Sequence, residues 1–461
     1  MPKWKINLAS IVFFAVLLFA FLFIQAGPLP AEAEAKTIRV GVAMDQTKGT
    51  LYSSGTKTLK DAKGKTLTRK GSLSISIDRS GNFINAGNVS LQLPVEITGK
   101  NLLQWGNHPY RGSLRLVRSN KGFTVVNIVD TENYLRGVLK MEVNPAWGME
   151  VLKAQAIVAR TYALRNLGKH GKEGYDLCAL QHCQVYRGVN AEDSRLTKAV
   201  EATRGIVVVT EKGDYAVTPY HADSGGHTAN VADVWSGDIP YLRGRPEPFV
   251  YESPYSNWQA SLTLREIEEA LKPRGLRVGN LTEVRVLETD QAGRAVYVGL
   301  VGDQGRMKMK ASTFRMALGS SRIKSTLFTI SQTTRPREQT SSFAPSNRAV
   351  RGNVLSTHDE RALISMIEGG AFTSEEMMDM LMHPEKRPEY LQLAFKRRSG
   401  VEKEPTPSLS TSGAITITGK GWGHGVGMSQ WGARKMAEEG WDYSKIIGYY
   451  YPQTHLKRDY R

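Results

Sequence analysis

A single carboxyl, Glu142, stands between Met141 and Val143 in the run MEVNPAWG, with Pro145 and Trp147 just beyond it. Apolar neighbours keep a carboxyl from water. Desolvation then penalises the charged form and raises the pKa toward the range a general acid needs near neutral pH. The positive end of the helix expected to follow works in the other direction, favouring the ionised form. The sequence leaves that contest open, and a capping or surface role for Glu142 stands beside the catalytic one. Glu150, inside the first turn of the same helix, reads as a solvated first-turn charge. Behind the helix come His170, Cys178, His182 and Cys183. Four such ligands suit tetrahedral zinc, in a structural or substrate-orienting role, with His170 on the loosest spacing. A disulfide between Cys178 and Cys183 is the competing reading.

Three further groups of polar and aromatic residues could line a binding cleft. Arg160 and Tyr162 lie in the helix itself, where Arg160 either pairs with a carboxylate, of a ligand or of the protein, or otherwise holds a polar group of a substrate. In YHADSGGHT, His221, Ser224 and His227 surround a Gly-rich turn that lacks a nucleophile-elbow pattern, so contacts to substrate fit better than nucleophilic catalysis. The segment 419–433, GKGWGHGVGMSQWGA, holds six glycines, Trp422 and Trp431. Its tryptophans either stack on sugar rings or cap the core, while His424, Ser429 and Gln430 offer polar contacts.

The elements that must hold these residues are readable from periodicity. From 37 to about 129, IRVGVAM, SLSISID, VSLQLPVEI, SLRLVRS and FTVVNIV alternate apolar and polar residues between turn formers, which predicts a β-rich lobe. From 147 to 167 the period becomes helical, with Asn144-Pro145 ahead and Gly168 as a stop. Val151, Leu152, Ala156, Ala159 and Ala163 give this helix a face of mostly small residues, which predicts a central, buried position. Strands resume with GIVVVT, TPYHADS, VRVLETD, AVYVGLVG and the stretch 326–330, and shorter helices fall at 196–203 and 264–272. The mixture predicts an α+β fold: one elaborated β-rich catalytic domain around a central Ala-rich helix. The region 331–412 reads as a partly flexible insertion carrying a helical hairpin from ERALISMIEGG and SEEMMDMLM.

Composition bounds the setting. The chain has 461 residues, 41% hydrophobic and 23% charged, enough to bury a large core. Residues 1–35 carry Lys3 and Lys5, an apolar run from Leu8 to Ile24 and the triplets AEA and AEA, the pattern of an export segment that is either cleaved or kept as a membrane anchor. The remainder is then expected outside the membrane. A net charge of +17 suits an anionic polymer or mere solubility, and export argues against nucleic acid. Two cysteines cannot form a disulfide framework, so stability must come from the core.

Taken in order, YLRGVLKMEVNPAWGMEVLKAQAIVARTYAL, CQVYRG, YHADSGGHTANVADVW, PYLRG and GKGWGHGVGMSQWGA resemble the stage II sporulation protein D family, which includes the amidase-enhancer proteins. The resemblance spans about 37–330 and 413–453. It implies a lytic transglycosylase of peptidoglycan with Glu142 as catalytic acid, a zinc ion on Cys178, His182 and Cys183 in some members, and a partner amidase that strips stem peptides. A lone carboxyl is chemically sufficient for that reaction: the substrate's own C6 hydroxyl replaces water, leaving a 1,6-anhydro-N-acetylmuramic acid end. The alternative is a noncatalytic wall-binding enhancer of an amidase. A zinc amidase is a further reading, set back because the Cys-rich cluster looks coordinatively closed.

Overall fold

A computed structural model describes residues 35–235, 237–332 and 414–460. The export or anchor segment and both amphipathic pieces of the 331–412 region lie outside the described residues. Among the described residues, no helix is long and apolar enough to cross a membrane.

The expected β-rich lobe is an 11-stranded sheet. Its spine is antiparallel: Thr37–Gln46 beside Gly122–Asp130, then Ser113–Ser119, Val95–Gly99, Lys48–Lys60 and Thr66–Ile77. Alternation does what the sequence implies, since Ile38, Leu114, Ile97 and Leu59 are fully buried while their strand neighbours are not. One pairing is parallel. The two-residue strand Leu177–Cys178 joins the edge of Thr37–Gln46, with Val40 opposite Leu177 and Gly41 opposite Cys178, and this fixes the first cysteine to the lobe.

The Ala-rich helix, Met149–Arg165, begins two residues later than the pattern suggests and ends before Gly168, whose φ is +79°. It is buried on two sides. Leu152, Ala156, Ala159 and Ala163 belong to the apolar cluster of the β lobe. Val151, Ala154, Ile157 and Val158 belong to a second cluster, made with Val426, Met428, Met436, Ile446 and Ile447 from the C-terminal part of the chain. The alanines let both layers approach closely. The strand Ile206–Thr210 pairs with Thr454–Arg458, which brings the chain end back beside the helix.

A third cluster gathers the strands Leu281–Thr289, Ala295–Gly302 and Gly305–Lys310, the helices Leu264–Leu271 and Ala311–Leu318, and a sheet of Trp258–Thr263, Ala414–Gly419 and Phe328–Gln332. Helix Leu264–Leu271 opens on a capping box of Thr263 and Glu266. In the last sheet Gln332 faces Ile415, so residues 333–413 leave and return at one end of a strand pair. Strands and helices are grouped rather than alternating, and the fold is α+β.

Candidate functional site

Glu142 closes the one-turn helix Leu139–Glu142 instead of opening the central helix, whose positive end begins seven residues later at Met149. The dipole that would have favoured ionisation is therefore displaced along the chain, and desolvation wins. The residue as a whole is partly exposed, and burial of its carboxyl raises the pKa to about 7. Two donors pull it part of the way back, the Tyr220 hydroxyl and the backbone N–H of Val185. No carboxylate is among the groups that set its acidity.

The Tyr220 hydroxyl is itself oriented. The side-chain amide of Gln184 donates to it at 3.2 Å and to the Ala159 carbonyl at 3.3 Å, while the amide oxygen accepts from the Tyr134 hydroxyl at 3.0 Å. With Gln184 Nε2 filling a lone pair of Tyr220, the tyrosine's own proton points to Glu142. Gln184 is 2% and Tyr134 0% exposed, so the relay is fixed by packing. None of these partners stood out in the sequence, where a Gln after a Cys and a Tyr before a His carry no distinctive signal.

The same short segment serves the His/Cys cluster. The ligand atoms of His170, Cys178, His182 and Cys183 all lie within 4.8 Å of one another. Cys183 Sγ is 3.5 Å from His170 Nε2 and 3.6 Å from His182 Nδ1, and Cys178 Sγ is 3.8 Å from His182 Nδ1. A tetrahedron with zinc–sulfur and zinc–nitrogen bonds of ordinary length has edges of about 3.4–3.8 Å, and these three sulfur–nitrogen distances fall in that range. Both cysteines are free thiols rather than a disulfide. A hydrogen bond from Cys183 lowers the Cys178 thiol, while Cys183 is pushed upward by the same pairing and by burial. His170, the member on the loosest spacing, stacks on Tyr175 with ring centroids 5.0 Å apart. Three consecutive residues thus do three things: Cys183 faces the cluster, Gln184 orients Tyr220, and the Val185 N–H reaches Glu142. Tyr162 is partly exposed, and burial of its hydroxyl, with smaller contributions from both cysteines and Glu142, raises its pKa.

The two distant motifs meet. Tyr220–His221 and Met428–Ser429 form a parallel strand pair, and Asp223 and Trp422 exchange backbone hydrogen bonds of 2.9 and 2.8 Å. Glycines make this contact possible. A Cβ on Gly421 would lie 2.7 Å from the Asp223 carbonyl oxygen, and one on Gly423 would lie 2.6 Å from His221 Cβ.

That closeness buries many residues expected to face substrate, and those expectations are corrected here. Ser224, fully buried, donates to Glu247 Oε1 at 2.6 Å. Ser429, also fully buried, caps the helix Gln430–Glu438 and accepts from the Ser224 N–H. Gln430 donates to Gln155 of the central helix at 3.3 Å. His221, 4% exposed, donates from Nδ1 to the Val426 carbonyl. Trp422, 4% exposed, packs edge-on to Tyr255 and caps the core. Arg160 is 0% exposed and forms a two-pronged pair with Glu132 at 2.7 and 3.0 Å, so it is the structural ion pair. Tyr460 donates to the same Glu132 at 2.6 Å, latching the chain end. Glu150, expected as a solvated first-turn charge, pairs with Lys153 at 2.7 Å and also accepts from the Tyr443 N–H at 3.1 Å, tying the central helix to the C-terminal part of the chain.

The other expected residues keep some exposure. His424 is partly exposed, held neutral with a pKa lowered to about 3 by burial and by Arg315 and Arg294, and sits 4.9 Å from the exposed Trp235. His227 is partly exposed, with Nδ1 2.7 Å from the Thr228 carbonyl. Trp431 meets Trp147 edge to face at 5.3 Å, and Arg434 lies 4.8 Å over Trp431. The C-terminal motif is therefore joined to the residues just after Glu142. A second displaced carboxyl escaped the sequence reading. Burial raises Glu247 to about 7, with Ser224 and Tyr450 donating to its two oxygens.

Fold and site thus define an α+β chain organised around the weakly acidic carboxyl of Glu142 and an adjoining His/Cys cluster. A family model described as stage II sporulation protein matches residues 119–209, which hold both Glu142 and the cluster. The chain is 29% identical to the amidase enhancer of Bacillus subtilis over 70% of this chain and 40% of that protein. It is 23% identical to stage II sporulation protein D of Bacillus subtilis, over 72% of this chain and 75% of the relative. A protein of Brachyspira hyodysenteriae described as uncharacterized is 26% identical over 74% and 70%. Over about 70% of its length the chain is thus similar to stage II sporulation protein D and to an amidase enhancer.

Proposed function

We propose that this protein acts outside the membrane on the cell wall, cleaving peptidoglycan glycan strands as a lytic transglycosylase in sporulation-linked remodelling. The observation that carries the reading is Glu142, a partly exposed residue whose desolvated carboxyl has a pKa of about 7, with a fixed hydroxyl and a backbone amide at its oxygens. Near neutrality a large fraction is protonated. Glu142 donates that proton to the glycosidic oxygen as the C1–O bond breaks. The resulting carboxylate, steadied by Tyr220 and Val185, takes the proton of the C6 hydroxyl as that oxygen bonds to C1. One proton leaves Glu142 and one returns, and no water is consumed. Tyr162, His227, His424, Trp431 and Trp235 are the partly or wholly exposed groups available to sugar.

The similarity to an amidase enhancer supports the second reading, a noncatalytic wall-binding partner of an amidase. Digestion of peptide-free glycan strands separates the two. Anhydro ends produced by the wild type and lost in Glu142→Gln are the expected result; strands left intact by the wild type as well would leave only the enhancer.

Zinc on His170, Cys178, His182 and Cys183 completes the proposal. When bound, it would supply a structural cross-link between the β lobe, through Cys178, and the segment 183–185. We expect about one zinc per chain by elemental analysis, absent in Cys178→Ser with a lower melting temperature. Equal metal content and melting in both proteins would refute the site.

A further inference from the structure

The C-terminal motif reaches Glu142 through Tyr220. Val426 lies between two histidines: its N–H donates to His424 Nδ1 at 3.1 Å, and its carbonyl accepts from His221 Nδ1 at 3.2 Å. A backbone N–H can only donate, so Nδ1 of His424 is bare and the ring proton sits on Nε2. That N–H has the backbone carbonyl of Tyr220 as its acceptor. Both nitrogens of His424 are thus engaged inside the protein, and what the ring offers a sugar is carbon. Burial, with the Arg315 and Arg294 charges, keeps His424 unprotonated at neutrality, and burial does the same for His221. Glycines on both sides, Gly423 at φ +116° and Gly425 at φ +84°, let the backbone turn tightly enough for one ring to meet both partners.

The contact falls on a short strand. Tyr220–His221 is two residues long and pairs with Met428–Ser429, so its own ladder holds it weakly. Successive side chains of a strand point to opposite faces. His221 turns toward Val426 and His424, the two rings lying 5.4 Å apart, and Tyr220 turns the other way, toward Gln184 and Glu142. Gln184 fixes where the Tyr220 proton points, and His424 fixes the backbone that carries that hydroxyl.

We infer that His424 is a positioning residue for the general acid, holding the Tyr220 backbone so that the Tyr220 hydroxyl meets Glu142. The role rests on the reading of Glu142 given above.

Two substitutions divide the ring's contacts. In His424→Asn the amide oxygen can take the place of Nδ1 and accept from Val426, while nothing reaches Tyr220. In His424→Gln the amide N–H can take the place of Nε2 and reach the Tyr220 carbonyl. Carbon-13 titration of labelled glutamate and pH–rate profiles on peptide-free glycan read the result. The other titratable groups in the field of Glu142 are Tyr220, Tyr134 and Tyr162, all raised by burial, so the midpoint near neutrality belongs to Glu142. His424→Asn should raise that midpoint and the alkaline limb by about one to two pH units, the scale of one hydrogen bond to a charged group. Tyr220→Phe should do the same, the double variant should add nothing, KM should stay at the wild-type value, and His424→Gln should titrate as wild type. An unmoved midpoint in His424→Asn, equal shifts in both substitutions, or shifts that add in the double variant would overturn the role; a raised KM with an unmoved midpoint would make His424 a sugar contact instead. In the unaltered protein, nitrogen-15 NMR should show His424 as the neutral Nε2–H tautomer, and an Nδ1–H tautomer would overturn the role without any variant. Because the carbon-13 midpoint needs no turnover, it tests His424 even in a protein that leaves glycan uncut, so the two failures are told apart.

Discussion

Glu142 and Glu247 are two carboxyls pushed by burial to the same pKa of about 7, each accepting hydrogen bonds from two donors. They differ in what those donors belong to. Glu247 ties segments together. Ser224 comes from the Gly-rich turn and Tyr450 from the C-terminal helix Tyr443–Tyr450, and Gly432 packs so close that an added Cβ would fall 2.4 Å from Glu247 Oε2. Asp223 adds a negative neighbour that raises Glu247 further. Glu142 has no acidic neighbour in its balance and takes its donors from a relay that ends at Tyr134. A displaced pKa alone therefore does not mark an acid catalyst; the partners decide whether the group joins structure or faces substrate.

The sharpest way to break this contrast is to remove each carboxyl in turn. Glu142→Gln should lower glycan cleavage by about a thousandfold, the scale of a general acid, with little loss of folding. Glu247→Ala should do the opposite. It leaves the Ser224 and Tyr450 hydroxyls without their acceptor and should destabilise by about 1–3 kcal/mol in denaturant unfolding, with cleavage per folded molecule near wild type. If Glu247→Ala were stable and inactive, the roles would have to be exchanged. A smaller effect sharpens the relay. Tyr220→Phe removes a donor that stabilises the charged carboxylate, so the Glu142 pKa should rise and the alkaline limb of the pH–rate profile should move upward. A limb that stays put or moves down would remove Tyr220 from the site.

Much of the fold was legible because its signals are local. The alternation in IRVGVAM and FTVVNIV and the alanines at 156, 159 and 163 report directly on which side of each element is buried. The segment TENYLRGVLKM has a strand-like pattern but folds as the helices Thr131–Arg136 and Leu139–Glu142, and the helix Ala311–Leu318 and the pairing of Tyr220–His221 with Met428–Ser429 were not read. The last depends on contacts more than 200 residues apart, and two-residue strands have no period. The same distance explains the site. Glu142, Cys178 and Cys183 fall within one continuous stretch and could be singled out together. Ser224, Ser429 and Trp422 sit in glycine-rich runs that resembled ligand loops, but the glycines serve contact between the two runs. Gly421, at φ +77°, lets the backbone lie against Asp223, and the polar side chains there are consumed as one another's partners. Tyr220 and Gln184 were missed because their importance lies in a chain of hydrogen bonds that only the assembled structure brings together.

The central claim is that Glu142 holds its proton into the neutral range. Carbon-13 NMR of side-chain-labelled glutamate, titrated in wild type and Glu142→Gln to identify the resonance, measures it directly. The account predicts a midpoint near 7 for the signal lost in the variant. A midpoint at about 4.3, that of an ordinary solvated glutamate, would contradict it.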